Sequence, residues 1–252
     1  MSKLSDAIRR AGRTAPAPLG FAARAAAAAA SPTVLCFVRL NANEANKAEE
    51  AAKKGADAVI IDGGDAGKVK DFVRKAPGLI LGVRPHKSDR EQITSLREAG
   101  ADFVVLDVDS AMADALLEEN IGFILLVRSD ADDTRLRLLS DLNLDALVPP
   151  APDGALTVER LLELRRFSAL GRTPLLVEVS GDAGVSSVQA LRESGVAGVI
   201  IEGSSLAKLE KLRAAIGAMP PRGRMREERR EAMIPAPSMA GHDHDDDDFD
   251  DD

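Results

Sequence analysis

The chain repeats one block of sequence. The octapeptides GADAVIID (55–62), GADFVVLD (100–107), NLDALVPP (143–150) and GVAGVIIE (195–202) superpose without gaps, as do the tetrapeptides CFVR (36–39), LGVR (81–84), LLVR (125–128) and LLVE (175–178). The step is 45 residues from Arg39 to Arg84, 44 from Arg84 to Arg128 and 45 from Asp62 to Asp107. Each copy lies in a short apolar run rich in β-branched residues, with helix-patterned sequence between runs. Eight strands are predicted, over 33–39, 57–62, 79–84, 102–107, 122–128, 145–149, 174–179 and 197–202. The runs are continuous rather than alternating, which is the pattern of strands buried on both faces.

Buried parallel strands need crossover segments, and a sheet closed on itself leaves no edge. Four βαβα quarters therefore predict an α/β protein, a compact (β/α)8 TIM barrel of eight strands and eight helices. Ser88 with Glu91 and Ser186 with Gln189 fit the capping-box spacing, and Asn43, Ser110, Thr157 and Ser204 are further predicted N-caps. The barrel spans about 185 residues from Thr33 to Met219 against the roughly 250 typical of the fold, so its loops are short and leave little material for a lid. A doubly wound open sheet is the alternative; the first turn, RLNANE, lacks the G-x-G-x-x-G loop of a dinucleotide binder.

Charge divides the chain into three parts. The net charge is −8, yet residues 242–252 (HDHDDDDFDDD) hold eight Asp and no Lys or Arg, so the rest is neutral overall. Residues 1–32 form a basic arm, 33–219 the acidic barrel, and 220–252 a polar short helix, a Pro-containing linker and an Asp-rich tail expected to be disordered. An acidic body without Trp or Tyr is a poor nucleic-acid binder, and no apolar run is long enough to span a membrane. In the arm, Leu4 and Ile8 with Arg9 and Arg10 predict a short amphipathic helix covering one end of the domain; a targeting segment is the other reading. The single Cys36 excludes an internal disulfide and fits a reducing, cytoplasmic location.

Residues 174–206, PLLVEVSGDAGVSSVQALRESGVAGVIIEGSSL, resemble the closing segment of the ribulose-phosphate-binding barrels, the group of indole-glycerol-phosphate synthase, phosphoribosylanthranilate isomerase and the ribulose-phosphate epimerases. The resemblance implies a phosphate site built from backbone N–H groups of two loops and a helix N-terminus. Its positions here are Ser180, Gly181 and Gly184 in the first loop and Gly203, Ser204 and Ser205 in the second. Two carboxylates depart from the group's pattern, Asp182 within the first loop and Glu202 directly before the second. No predicted strand contains a Lys, so a Schiff-base mechanism has no candidate nucleophile. A second segment, GADAVIIDGGDAG (55–67), is similar to a strand and loop of the flavin-dependent nitronate monooxygenases, without the histidine that follows there, and implies FMN as an alternative ligand. Otherwise no cofactor and no metal is predicted, since His242 and His244 among the tail aspartates lack fixed geometry.

The strand ends carry charge in a regular order: Arg39, Arg84 and Arg128 on odd strands, Asp62, Asp107 and Glu202 on even ones, and Glu178 on the seventh. Strands about 4.8 Å apart let opposite charges pair into a ring at the barrel mouth. Alternatively part of the ring holds an anionic ligand, with Asp107 or Asp109 as general base and His86 as a further acid–base candidate. Residues at one level on adjacent strands tend to alternate inward and outward, so the two charge sets need not share a side. Two functions follow. One is a barrel that binds a phosphorylated or anionic small molecule, with isomerase or lyase chemistry if it is catalytic. The other is a non-catalytic barrel with a salt-bridged mouth that acts as an interaction or scaffold protein through its termini, the acidic tail meeting a protein partner.

Overall fold

A computed structural model of the chain describes residues 2–12, 33–151 and 154–220. The chain divides into two units, residues 1–220 and 221–252. The predicted polar helix, linker and tail of the second unit lie outside the described residues, as does the arm from 13 to 32.

Eight strands close into a parallel barrel in sequence order: β1 (Leu35–Asn41), β2 (Ala58–Asp62), β3 (Ile80–Arg84), β4 (Phe103–Asp107), β5 (Gly122–Leu126), β6 (Ala146–Val148), β7 (Leu175–Glu178) and β8 (Val196–Glu202). Among the described residues seven helices surround it, six crossovers and a last one after β8: α2 (Ala45–Lys53), α3 (Ala66–Lys75), α4 (Arg90–Ala99), α5 (Asp133–Leu139), α6 (Val158–Gly171), α7 (Val185–Glu193) and α8 (Leu209–Gly217). The fourth crossover departs from the quarter pattern. Between β4 and β5 only a 3-10 turn, Ala113–Leu117, takes the helix position, and the predicted cap Ser110 starts no α-helix. Glu118 anchors this shorter segment to α4, accepting from Thr94 Oγ1 at 3.0 Å and pairing with Arg97 Nε at 2.8 Å. Among the other predicted caps, Thr157 accepts from the N–H of Arg160. Asp89 caps α4 instead of its neighbour Ser88, because it is the Asp89 carboxylate that reaches the N–H of Gln92. Gly184 occupies the cap of α7 two residues before Ser186, Glu44 that of α2 in place of Asn43, and Ser204 lies inside a 3-10 segment, Gly203–Lys208.

The strands are apolar on both faces because they separate two cores. Cys36, Val38, Val59, Ile61, Val104 and Leu106 belong to a cluster shared with the crossover helices. The residues of opposite parity, among them Phe37, Ile60, Phe103, Val105, Ile124, Leu176 and Ile200, form a second cluster containing no crossover-helix residue, and this fills the barrel interior. Phe37 and Phe103 meet edge to face there, 6.2 Å between centroids. Space for them comes from glycine: a Cβ on Gly82 would stand 2.0 Å from the Phe103 ring, and one on Gly198 2.6 Å from that of Phe37.

The predicted amphipathic helix, α1 (Lys3–Gly12), contributes Leu4, Ala7, Ile8 and Ala11 to the interior cluster and thereby closes one end of the barrel. It is pinned at the feet of the even strands. Lys3 Nζ pairs with Asp102 at 2.9 Å, and Ser2 Oγ donates to Asp145 at 3.1 Å. These aspartates occupy the third position of the repeated octapeptide. Asp57 accepts from the N–H of Cys36, Asp102 from that of Leu81 and Asp145 from that of Phe123, at 2.8, 3.0 and 3.0 Å. The internal repeat is thus also a repeated hydrogen bond from each odd strand to the next even one; in the fourth quarter Ala197 stands at the position and the bond has no counterpart. Among the described residues no helix is long and apolar enough to cross a membrane.

Candidate functional site

With α1 at the amino ends of the strands, the opposite mouth carries the charged strand ends. Arg39, Asp62, Asp107, Glu178 and Glu202 each lie two residues beyond an interior residue, namely Phe37, Ile60, Val105, Leu176 and Ile200. Strand period two therefore points all five inward, and Arg84 follows from Ile80 in the same way. Both charge sets share the inner side of the mouth. Arg128 lies two residues beyond the end of β5 and is exposed.

The charges pair unevenly. Closure of the ring sets β1 beside β8, with Arg39 opposite Glu202, and the Arg39 guanidinium bridges Glu178 at 2.5 Å and Glu202. Burial works against the Arg39 charge, but the two carboxylates overcome it and raise its pKa above the ordinary value. On the far side Arg128 holds Asp109 at 2.7 Å and Asp130 at 2.9 Å, and Arg135 adds a contact to Asp109 at 3.4 Å. Arg128 accordingly keeps the Asp109 carboxyl below its usual range. Between the two groups pairing is loose. Arg84 stands 3.9 Å from Asp62, and Asp107 has no ion pair among the described residues, its Oδ1 accepting only from the N–H of Asp109 at 3.1 Å.

Of the three catalytic candidates, Asp107 and Asp109 are joined by this local turn. His86 is exposed and leans on the loop after β2, where a Cβ on Gly63 would stand 2.8 Å from its Nε2. Gly63 has φ +73, so glycine at that position serves the backbone as well as the ring above it.

The two loops of the predicted phosphate site come together. A Cβ on Gly181 would lie 2.9 Å from Lys208 Cβ and 3.2 Å from Ser205 Cβ, so the loop after β7 packs directly on the turn after β8. Gly203 packs against Leu40 and the carbonyl oxygen of Arg39, at 2.6 and 3.1 Å from a built Cβ. Tight packing therefore accounts for glycine at 181 and 203. Gly184, in contrast, has no neighbour within 4 Å of such a Cβ. Ser180 and Ser204 are exposed and Ser205 half-buried. Asp182 does not stand as a bare carboxylate: Lys208 pairs with it, Lys211 approaches to 3.7 Å, and Lys208 lowers its pKa.

Next to these loops opens a cleft of about 250 Å³ lined by Arg39, Glu178, Ser180, Glu202 and, from the loop after β6, Ala151 and Gly154. The sequence reading missed that third loop, whose signal is the Pro- and Gly-bearing run VPPAPDG, and it missed Lys208 and Lys211, which lie three apart and share a face.

A closed, eight-stranded parallel barrel ringed by helices, with charged strand ends and paired Gly-containing loops at one mouth, defines a (β/α)8 TIM barrel. Solved structures with this fold include tryptophan synthase alpha subunits of the hyperthermophile Pyrococcus furiosus. Two of its variants match with TM-scores of 0.55 and 0.57 at 15% and 16% identity, covering 72% of this chain and 96% of theirs. A structure from the tryptophan synthase α2β2 complex of that organism matches with a TM-score of 0.56 at 16% identity, covering 72% of this chain and 95% of its own. At such identity the likeness is one of fold. No protein-family model matches the chain, and no curated protein does.

Proposed function

We propose that the barrel binds a small phosphorylated or otherwise anionic molecule at the carboxyl ends of its strands. The observation that carries this reading is the direct packing of the loop after β7 on the turn after β8, Gly181 against Ser205 and Lys208, at the edge of the cleft that Ser180 and Arg39 line. Backbone groups of Ser180, Gly181, Gly184, Gly203, Ser204 and Ser205 are the proposed anion contacts. For isomerase or lyase chemistry on such a ligand, Asp107 is the base of choice, since it faces inward and has no ion pair among the described residues. Asp109 is engaged by Arg128, and His86 serves as a second acid–base group from the adjoining loop.

The test is a thermal-shift series with inorganic phosphate, ribose 5-phosphate and FMN. A ligand at a hundred times its Kd stabilises by about 2.7 kcal/mol, which raises the melting temperature of a barrel this size by roughly 5–10 °C. Phosphate and ribose 5-phosphate are expected to raise it, and Ser204→Glu, at an exposed position, to remove the rise. Gly203 is unsuited to this purpose because any side chain there collides with β1. A rise with FMN alone favours the flavin alternative.

A second reading is supported by the pairing itself. With Arg39 held by two carboxylates and Arg128 by two more, the mouth resembles a closed surface, and the chain would act through its termini as an interaction protein. No shift with any of the three compounds selects that reading.

A further inference from the structure

We infer that the ligand of this site carries a protonated amine as well as its anionic group, and that Glu202 selects for the amine; the inference rests on the reading of the site as an anion-binding one and names the ligand class. The site is electrically divided. On one side of the dipeptide Ser180–Gly181, two ammonium groups, Lys208 and Lys211, face the single carboxylate Asp182. On the other side, in the cleft, a single guanidinium, Arg39, faces two carboxylates, Glu178 and Glu202. One half thus carries a surplus positive charge and the other a surplus negative one. Gly181 touches the first half and Ser180 lines the second, so one small molecule bridges both.

A bare dianion fits the lysine half and is repelled by the other. A molecule with an ammonium at its far end is attracted by both. Glu202 is the available partner. Only its Oε1 is engaged by Arg39, and the side chain is 59% exposed, whereas Glu178 meets Arg39 through both oxygens, at 2.5 and 3.4 Å. A carboxylate accepts about four hydrogen bonds, so Glu202 Oε2 has capacity left for an N–H donor. The cleft volume of about 250 Å³ lies below the usual range of drug-sized pockets and suits a ligand of few atoms.

The probes are phosphoethanolamine, glycerol 3-phosphate, in which hydroxyls replace the amine, and inorganic phosphate, with affinities measured by calorimetry on the full chain. Phosphoethanolamine is expected to bind about 10-fold more tightly than glycerol 3-phosphate, and Glu202→Gln to bring the two to near equality while inorganic phosphate binds no more weakly. The Gln variant keeps its fold, because the Arg39–Glu178 bridge is retained and position 202 is exposed; an unchanged melting temperature verifies this. Equal affinities in the parent chain, or a preference that survives in Glu202→Gln, overturn the inference and leave the anion site standing. Failure of all three, inorganic phosphate included, overturns the anion site and this inference together.

Discussion

Arg213, on the last barrel helix, grips Asp57 at the foot of the second strand with both ends of its guanidinium, Nη1 at 2.7 Å and Nη2 at 3.0 Å. The two residues are 156 positions apart, and Asp57 also accepts the backbone N–H of Cys36 on the first strand. One carboxylate therefore ties the beginning of the barrel to its end. Burial disfavours the Arg213 charge, but Asp57 more than compensates, and the Arg213 pKa is raised. Asp57→Ala leaves a half-buried cation and a backbone donor without partners, and is expected to cost about 2–3 kcal/mol in urea unfolding. The double-mutant cycle with Arg213→Ala isolates the pair; additive losses would refute the tie.

Cys36 gives the barrel an alkaline limit. Burial raises the thiol pKa to about 11 from an ordinary value of 9.0; Arg213 opposes the rise and Asp57 adds to it. The unfolded thiol ionises first, so the folded state is favoured while both are protonated. This contribution is complete below pH 9 and is lost between about 9 and 11, a fall of about 2–3 kcal/mol. Urea midpoints measured for the parent and Cys36→Ala should diverge across that window and run parallel below it. At pH 8 the native thiol should resist a disulfide reagent that labels it at once in denaturant.

The amino-terminal helix is part of the core. Leu4 is fully buried, and Leu4→Ala should cost about 2–5 kcal/mol, in line with other core leucines. Lys3→Ala, which removes only a largely exposed partner of Asp102, should change stability by under about 1 kcal/mol. Similar small losses in both would mean that α1 does not plug the barrel in solution.

Gly82 and Phe103 should behave as one unit. A methyl at 82 invades the Phe103 ring, so Gly82→Ala alone is expected to destabilise by about 1–3 kcal/mol. Combined with Phe103→Leu, which vacates that space, it should cost less than the sum of the two single changes. Strict additivity in thermal unfolding would contradict the packing.

Much of the architecture was legible before any coordinates. The strand segments agree with the apolar runs to within one or two residues, because a strand buried on both faces must be apolar throughout and a crossover must separate parallel neighbours. The charged strand ends were legible for the same reason, since charge ends a buried run. The fourth crossover was not. Ser110 reads as a helix start, yet the segment folds as a 3-10 turn because Glu118 finds Thr94 and Arg97 on α4, a contact between segments over twenty residues apart.

The amino-acid order alone determined that eight strands close in four repeated blocks, since burial patterning is a local property that each segment carries by itself. Which charge meets which was decided only by closure. Arg39 reaches Glu178 and Glu202 because the ring brings β1 beside β8, whereas Asp107 has no ion pair among the described residues, Arg84 standing by Asp62 and Arg128 holding Asp109 and Asp130. The glycines divide along the same line. Their presence in two loops is written in the sequence, but whether each makes room for a ligand or for a neighbouring loop depends on atoms that lie close in space and far apart along the chain, as Gly181 and Lys208 do.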